Sequence, residues 1–202
     1  KKWKYCYQCE TRLREASVPR LVVRMSGDAS AATGEAVELM QSILLQQSSR
    51  TLTAAQWEDV RRKIAEEPTA LYINLAVRVV QHWTSELRDH DDQSQQLPGG
   101  VQPLIEQVFL TLEKDFGRDL TRAALGFITY AVKGVSDVEM EDLLSMHDAV
   151  LDHVFQYATP KTRRLPSHVW LRLKQALVGL LVEGEQGCSA WYHRQLKEAA
   201  EV

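Results

Sequence analysis

The sequence predicts a mainly α-helical chain. A small helical domain, residues 26–100, precedes a winged-helix domain, residues 101–202, with one β-hairpin. A short strand before residue 26 reads as the edge of an α/β core that is missing from the chain. Three observations carry this prediction. Apolar residues recur at helical spacing through most of the chain. Two segments open on a capping-box pattern, Thr53-x-x-Gln56 and Ser136-x-x-Glu139. Near the C-terminus a glycine-bounded turn, Gly184 to Gly187, separates two short strand patterns between helices.

Composition bounds the function classes. The 202 residues are 45% hydrophobic and 25% charged, with a formal net charge of −3. This is ordinary globular composition, enough for one or two small domains. The near-neutral balance gives no general electrostatic case for nucleic acid or a membrane surface. No apolar run reaches the length of a membrane span, and the start, KKWKYCYQCE, lacks a signal-peptide core. The chain begins at Lys1 rather than Met, which reads as a fragment of something longer. Three cysteines are too sparse for a disulfide framework and point to a reducing, cytoplasmic setting. Cys6 and Cys9 form half of a zinc-type spacing without a second half, so they read as ordinary cysteines and no metal is expected.

Taken in order, residues 1–20 are locally basic and read as a solvated face. Pro19–Met25 reads as a short strand, with Leu21, Val22 and Val23 at its centre. A lone strand leaves backbone groups unpaired, which is why it implies a sheet outside the chain. A helix over 32–47 carries Val37, Met40, Ile43 and Leu44. The Thr53 capping box opens the next, with Leu52 and Trp57 as a hydrophobic staple, and Pro68 ends it. A further helix presents Leu71, Leu75, Val79 and Trp83 on one face. DHDDQSQQLPGG, residues 89–100, is the linker candidate, and it reads equally as a surface loop inside one domain.

In the second half, Pro103 suits the first turn of a helix over 102–115 that Gly117 ends. Leu120 to Ala131 form another, closed by Gly134. The Ser136 box opens a helix expected to continue to about Tyr157, with Val135 stapled to Met140. Pro160 and Pro166 bracket a basic loop. Ser167 is expected to cap a helix with Trp170, Leu173, Leu177 and Leu180 on its buried face. Leu181–Glu183 and residues 188–192 form the hairpin, and His193 opens the last helix.

No catalytic motif is present. The chain lacks G-x-x-x-x-G-K-[ST], G-x-S-x-G, H-E-x-x-H and G-x-G-x-x-G. Asp115-Phe116-Gly117 spells the kinase metal-binding triplet without its required context, and Glu139, Glu141 and Asp142 suit a helix start. DNA binding by the winged helix would use Arg163, Arg164, Arg172, Lys174 and Gln175. Against it, residues 117–202 balance to about −1, and Glu183 and Glu185 lie at the wing. His193 reads first as a capping or packing side chain. An imidazole at a helix start can also donate to an anion such as phosphate.

Four stretches, in order, resemble the region after the nucleotide-binding core in STAND-class signalling ATPases of the NACHT type, of the kind with C-terminal WD or other repeats. They are Arg50-Thr51-Leu52-Thr53-Ala54-Ala55-Gln56, the segment Glu67-Pro68-Thr69-Ala70-Leu71-Tyr72-Ile73, the run Phe116-Gly117-Arg118 to Leu144, and Trp191-Tyr192-His193-Arg194-Gln195 to Ala200. The resemblance spans roughly residues 20–200. It implies an intracellular switch, closed with ADP and opened by ATP for self-assembly. It implies that Pro68 packs on adenine and that His193 contacts the ADP β-phosphate. The phosphate loop would lie in an upstream core, of which residues 1–25 are the end or the linker. Partners would be the rest of its own chain, further copies and other proteins. Where the family often has Gly two residues before that proline, this chain has Glu66. The alternative is a non-catalytic interaction scaffold with a degenerate nucleotide site.

Overall fold

The computed structural model describes residues 29–48, 51–83, 96–157, 160–184 and 187–201. The expected strand over 19–25, the basic segment 1–20, Cys6 and Cys9 lie outside them. The described residues are mainly α-helical, with nine helices and one two-stranded hairpin.

The first three helices are α1 (Ala29–Ser48), α2 (Ala54–Glu66) and α3 (Ala70–Val80). Helix α1 buries Ala36, Val37, Met40 and Leu44, and it packs on α2 and α3. The α2 start is the expected capping box. Gln56 N–H donates to Thr53 Oγ1 at 3.3 Å, and Thr53 N–H donates to Gln56 Oε1 at 3.0 Å. Two backbone donors at the helix start are satisfied locally, which favours a helix that begins there. Pro68 cannot continue the backbone ladder, and Thr69 restarts it by capping Tyr72 N–H. Helix α3 is apolar almost all round: Tyr72, Ile73, Leu75, Ala76, Val77, Val79 and Val80 are buried. Such a helix needs neighbours on more than one side. It has α1 on one and α4 (Val101–Phe116) on another.

Helices α4 and α5 (Arg118–Tyr130) pack together, joined at Gly117 as expected. Ser136 and Glu139 make the second capping box at the start of α6 (Asp137–Ser145). Val135 and Met140, its expected staple, are both buried. One expectation fails here. The helix does not run through to Tyr157 but breaks at Met146–His147, and α7 (Asp148–Val154) follows. Leu144 before the break and Val150 and Leu151 after it are all buried in the core. No Gly or Pro marks it; tertiary packing decides.

Helix α8 (Ser167–Ala176) departs from expectation at both ends. Ser167 is its first residue, not its cap, and Pro166 holds the cap position without a side-chain bond. The helix stops at Ala176, before Leu177 and Leu180, because Gly179 has φ +86 and turns the chain into the hairpin. Strands β1 (Leu181–Glu183) and β2 (Ser189–Trp191) pair antiparallel, Leu181 with Trp191 and Glu183 with Ser189. The second strand is shorter than the expected 188–192. Val135, before α6, also bridges Ser189, so the turn after α5 adds a third short edge to the hairpin. Helix α9 (Arg194–Ala200) closes against α4 and α5.

Candidate functional site

His193 occupies the N-cap of α9 in extended backbone, and its side chain is exposed. Gln195 N–H donates to His193 Nδ1 at 3.3 Å. An acceptor Nδ1 on a neutral ring leaves the proton on Nε2. The cap therefore holds the imidazole with its donor nitrogen directed away from the helix. The sequence reading of a capping histidine holds, and the free Nε2–H is chemically suited to an oxygen anion.

The position of His193 is set from behind. Trp191 Nε1 donates to Thr129 Oγ1 at 2.9 Å, and its ring lies 5.8 Å from that of Phe109. Tyr192 N–H donates to Leu180 O at 3.0 Å, which closes the base of the hairpin. Tyr192 itself is exposed beside His193.

Pro68 lies in the α2–α3 junction and is half-buried. The turn before α4 folds over this junction: Tyr72 Oη donates to Pro98 O at 2.8 Å, and Leu97 N–H donates to Asp59 Oδ2 at 3.2 Å. Burial raises the Tyr72 phenol well above its ordinary range, and the charges of Glu66, Asp59 and Glu67 add to the rise. Glu66 pairs with Lys63 at 3.0 Å. The surroundings of Pro68 are thus half apolar and locally acidic. They offer a flat ring surface but a field that opposes phosphate.

Pro68 and His193 are not in contact. Pro68 lies just before the start of α3, a helix about 16 Å long at 1.5 Å per residue. His193 connects to its last turn through the α8–β1 turn and Arg78. That arginine was not singled out in the sequence. Arg78 Nη1 donates to Ala176 O at 2.8 Å, and Nη2 donates to Val178 O. Its Nε is buried without a hydrogen-bond partner among the described residues. Burial lowers its pKa from the ordinary value, yet arginine stays charged. The available signal was a single cation inside the apolar run Ala70–Val80.

The cations assigned to DNA contact are engaged elsewhere. Lys174, which DNA contact would need free, is largely buried and pairs with Asp137 at 2.8 Å and Glu183 at 3.2 Å. Arg163 pairs with Asp148 and Asp152, and Arg164 with Asp142 at 2.7 Å. Arg172 lies 6.0 Å over the Phe116 ring, within cation–π range. Among the described residues, no three metal-ligating side chains cluster and no helix is long and apolar enough to cross a membrane.

No family model matches the chain, and no solved structure matches it. Curated proteins do. The chain is 36% identical over 135 residues to the NACHT and WD repeat domain-containing protein 2 of Homo sapiens, and equally so to that of Mus musculus. That match covers 66% of this chain and 8% of each relative. The NACHT domain- and WD repeat-containing protein 1 of Mus musculus is 35% identical over 102 residues, 48% of this chain and 6% of the relative. The chain spans under a tenth of the length of the relatives it matches. It is a homologue of the NACHT and WD repeat domain-containing proteins, corresponding to one short stretch of them.

Proposed function

We propose that the chain is the regulatory stretch that follows a nucleotide-binding core in a cytoplasmic STAND/NACHT-type switch. In this reading, residues 26–100 are the helical domain and residues 101–202 the winged helix. They sense nucleotide and hold the switch in an autoinhibited form; they do no catalysis themselves. The observation that carries the reading is His193. It ends the hairpin of a chain similar to NACHT proteins, its Nδ1 is used by the cap, and its Nε2–H is exposed.

ADP or ATP would be held jointly with residues outside this chain. The donor at His193 Nε2 fits a phosphate oxygen. The proline face of Pro68 fits a flat base, and the acidic groups beside it keep phosphate away from that end. The nucleotide supplies a charge whose size differs between the di- and triphosphate. The chain supplies a contact that depends on it, and a ligand shifts an equilibrium only through such a difference. Release of the hairpin unit would permit self-assembly or the docking of protein partners. This reading involves no nucleic acid, and Arg163, Arg164 and Lys174 are paired with carboxylates of the chain itself.

The test is the nucleotide content of the purified full-length protein, wild type against His193→Ala. Bound ADP in the wild type that is lost in the variant, or self-assembly of the variant, is the expected result. Absence of nucleotide from both forms would overturn the reading. It would leave a non-catalytic scaffold, which the carboxylates of Glu66 and Glu67 just before Pro68 favour as the second reading.

A further inference from the structure

We propose that Arg78 is a positioning residue that fixes the hairpin, and through it His193, against helix α3. The chain of contacts is short. The Arg78 guanidinium donates to the carbonyls of Ala176 and Val178, 98 and 100 residues further along the chain. Val178 bridges Leu181, the first residue of β1. Leu180 O accepts from Tyr192 N–H, and His193 follows directly.

Three features make Arg78 more than a space-filling side chain. Its acceptors are backbone carbonyls, not a mobile carboxylate. The planar fork therefore sets both distance and orientation between α3 and the end of α8. Those carbonyls belong to the C-terminal end of α8 and the turn after it, where the helix dipole favours a cation. Gly179 leaves room for the guanidinium, because a Cβ there would stand 3.2 Å from Nη2 on a backbone of φ +86. The arginine and the glycine are thus matched halves of one joint. The Nε is buried and has no hydrogen-bond partner among the described residues, so the two Nη donors carry the joint.

The functional weight of the inference rests on the reading of His193 given above, but its structural core does not. Hydrogen exchange in the 202-residue chain tests the core. Arg78→Met is expected to speed exchange about tenfold or more at the amides of Leu180, Leu181 and Tyr192, while Met140 and Phe155 stay within about twofold. Gly179→Ala is expected to act at the same amides with Arg78 intact. Arg78→Lys, which keeps the charge without the fork, should fall between wild type and Arg78→Met. Should Arg78→Met not fold, Arg78→Lys and Gly179→Ala decide alone. Unchanged exchange at the hairpin base, or a uniform rise at all sites, would overturn the proposal. In the full-length protein, Arg78→Lys should weaken retention of bound ADP if His193 holds it. If His193→Ala retains nucleotide, the phosphate role fails while the exchange result still stands or falls independently.

Discussion

Asp137 and Lys174 form the polar joint beneath the hairpin. Lys174 Nζ donates to both carboxylate oxygens, at 2.8 and 2.9 Å, and Trp170 Nε1 donates to the nearer one at 2.8 Å. The first residue of α6 is thereby tied to two turns of α8, and Glu183 in β1 completes the cluster.

This joint gives a pH dependence with opposite signs at its two ends. Burial pushes the Asp137 carboxyl up. The hydrogen bonds from Lys174 and Trp170, together with the Lys174 charge, outweigh it and leave the group below its ordinary 3.8. Its stabilisation is present above pH 3.8 and is lost as pH falls through the lower folded value. Burial lowers the Lys174 ammonium, but Asp137 and Glu183 raise it above 10.5. That contribution is present below pH 10.5 and is lost as pH rises through the folded value. Asp137→Asn should flatten the acid limb of the stability profile, measured by urea unfolding from pH 2 to 5. An acid limb identical to wild type would rule the pair out as its source.

Glycine substitutions should separate close approach from backbone strain. Gly134 has φ +84, and a Cβ there would lie 2.7 Å from Ser189 O. Gly187 has φ +74, and among the described residues nothing lies within 4 Å of a Cβ there. Gly134→Ala should cost about 3 kcal/mol or more, combining strain and a backbone clash. Gly187→Ala should cost about 1 kcal/mol. Equal losses in thermal unfolding would contradict the difference.

The Thr53 cap supplies a milder prediction. Thr53→Ala removes the acceptor for Gln56 N–H and should cost about 1 kcal/mol. Thr53→Ser should restore most of it. Denaturant midpoints at constant slope are the measurement.

At His193, two roles can be pulled apart. Asparagine is a good N-cap and can accept from Gln195 N–H, but it lacks the imidazole Nε2–H. His193→Asn should keep the thermal midpoint of the wild type yet lose bound ADP from the full-length protein. His193→Ala should lose about 1 kcal/mol as well. Retention of nucleotide by the asparagine variant would confine His193 to capping.

Much of the fold was legible because its signals are local. Thr53, Ser136 and Pro68 each act on backbone groups within one turn, so their positions in sequence are their positions in structure. Gly184 and Gly187 marked the place of the hairpin in the same way. What stayed hidden was decided at long range. The break at Met146–His147 depends on how Leu144 and Leu151 share a core. The end of α8 depends on Gly179 meeting Arg78, and nothing near Gly179 in sequence announces an arginine from α3. The site divides likewise. His193 was readable as a cap, and its connection to α3 was not.

The bridge from Val135 to Ser189 has a kinetic meaning. Ser189 faces Glu183 across the hairpin and Val135 from the far side of α6, α7 and α8. The hairpin is too short to persist alone, since two strands of three residues bury almost nothing by themselves. Its edges must wait for the intervening helices to bring their partners in. Closing so long a loop comes late, after the cost in chain entropy has been met by helix packing. Mutations in β1 and β2 should therefore speed unfolding and leave the folding rate nearly untouched. The segment that carries His193 would be the last to assemble and the first to let go.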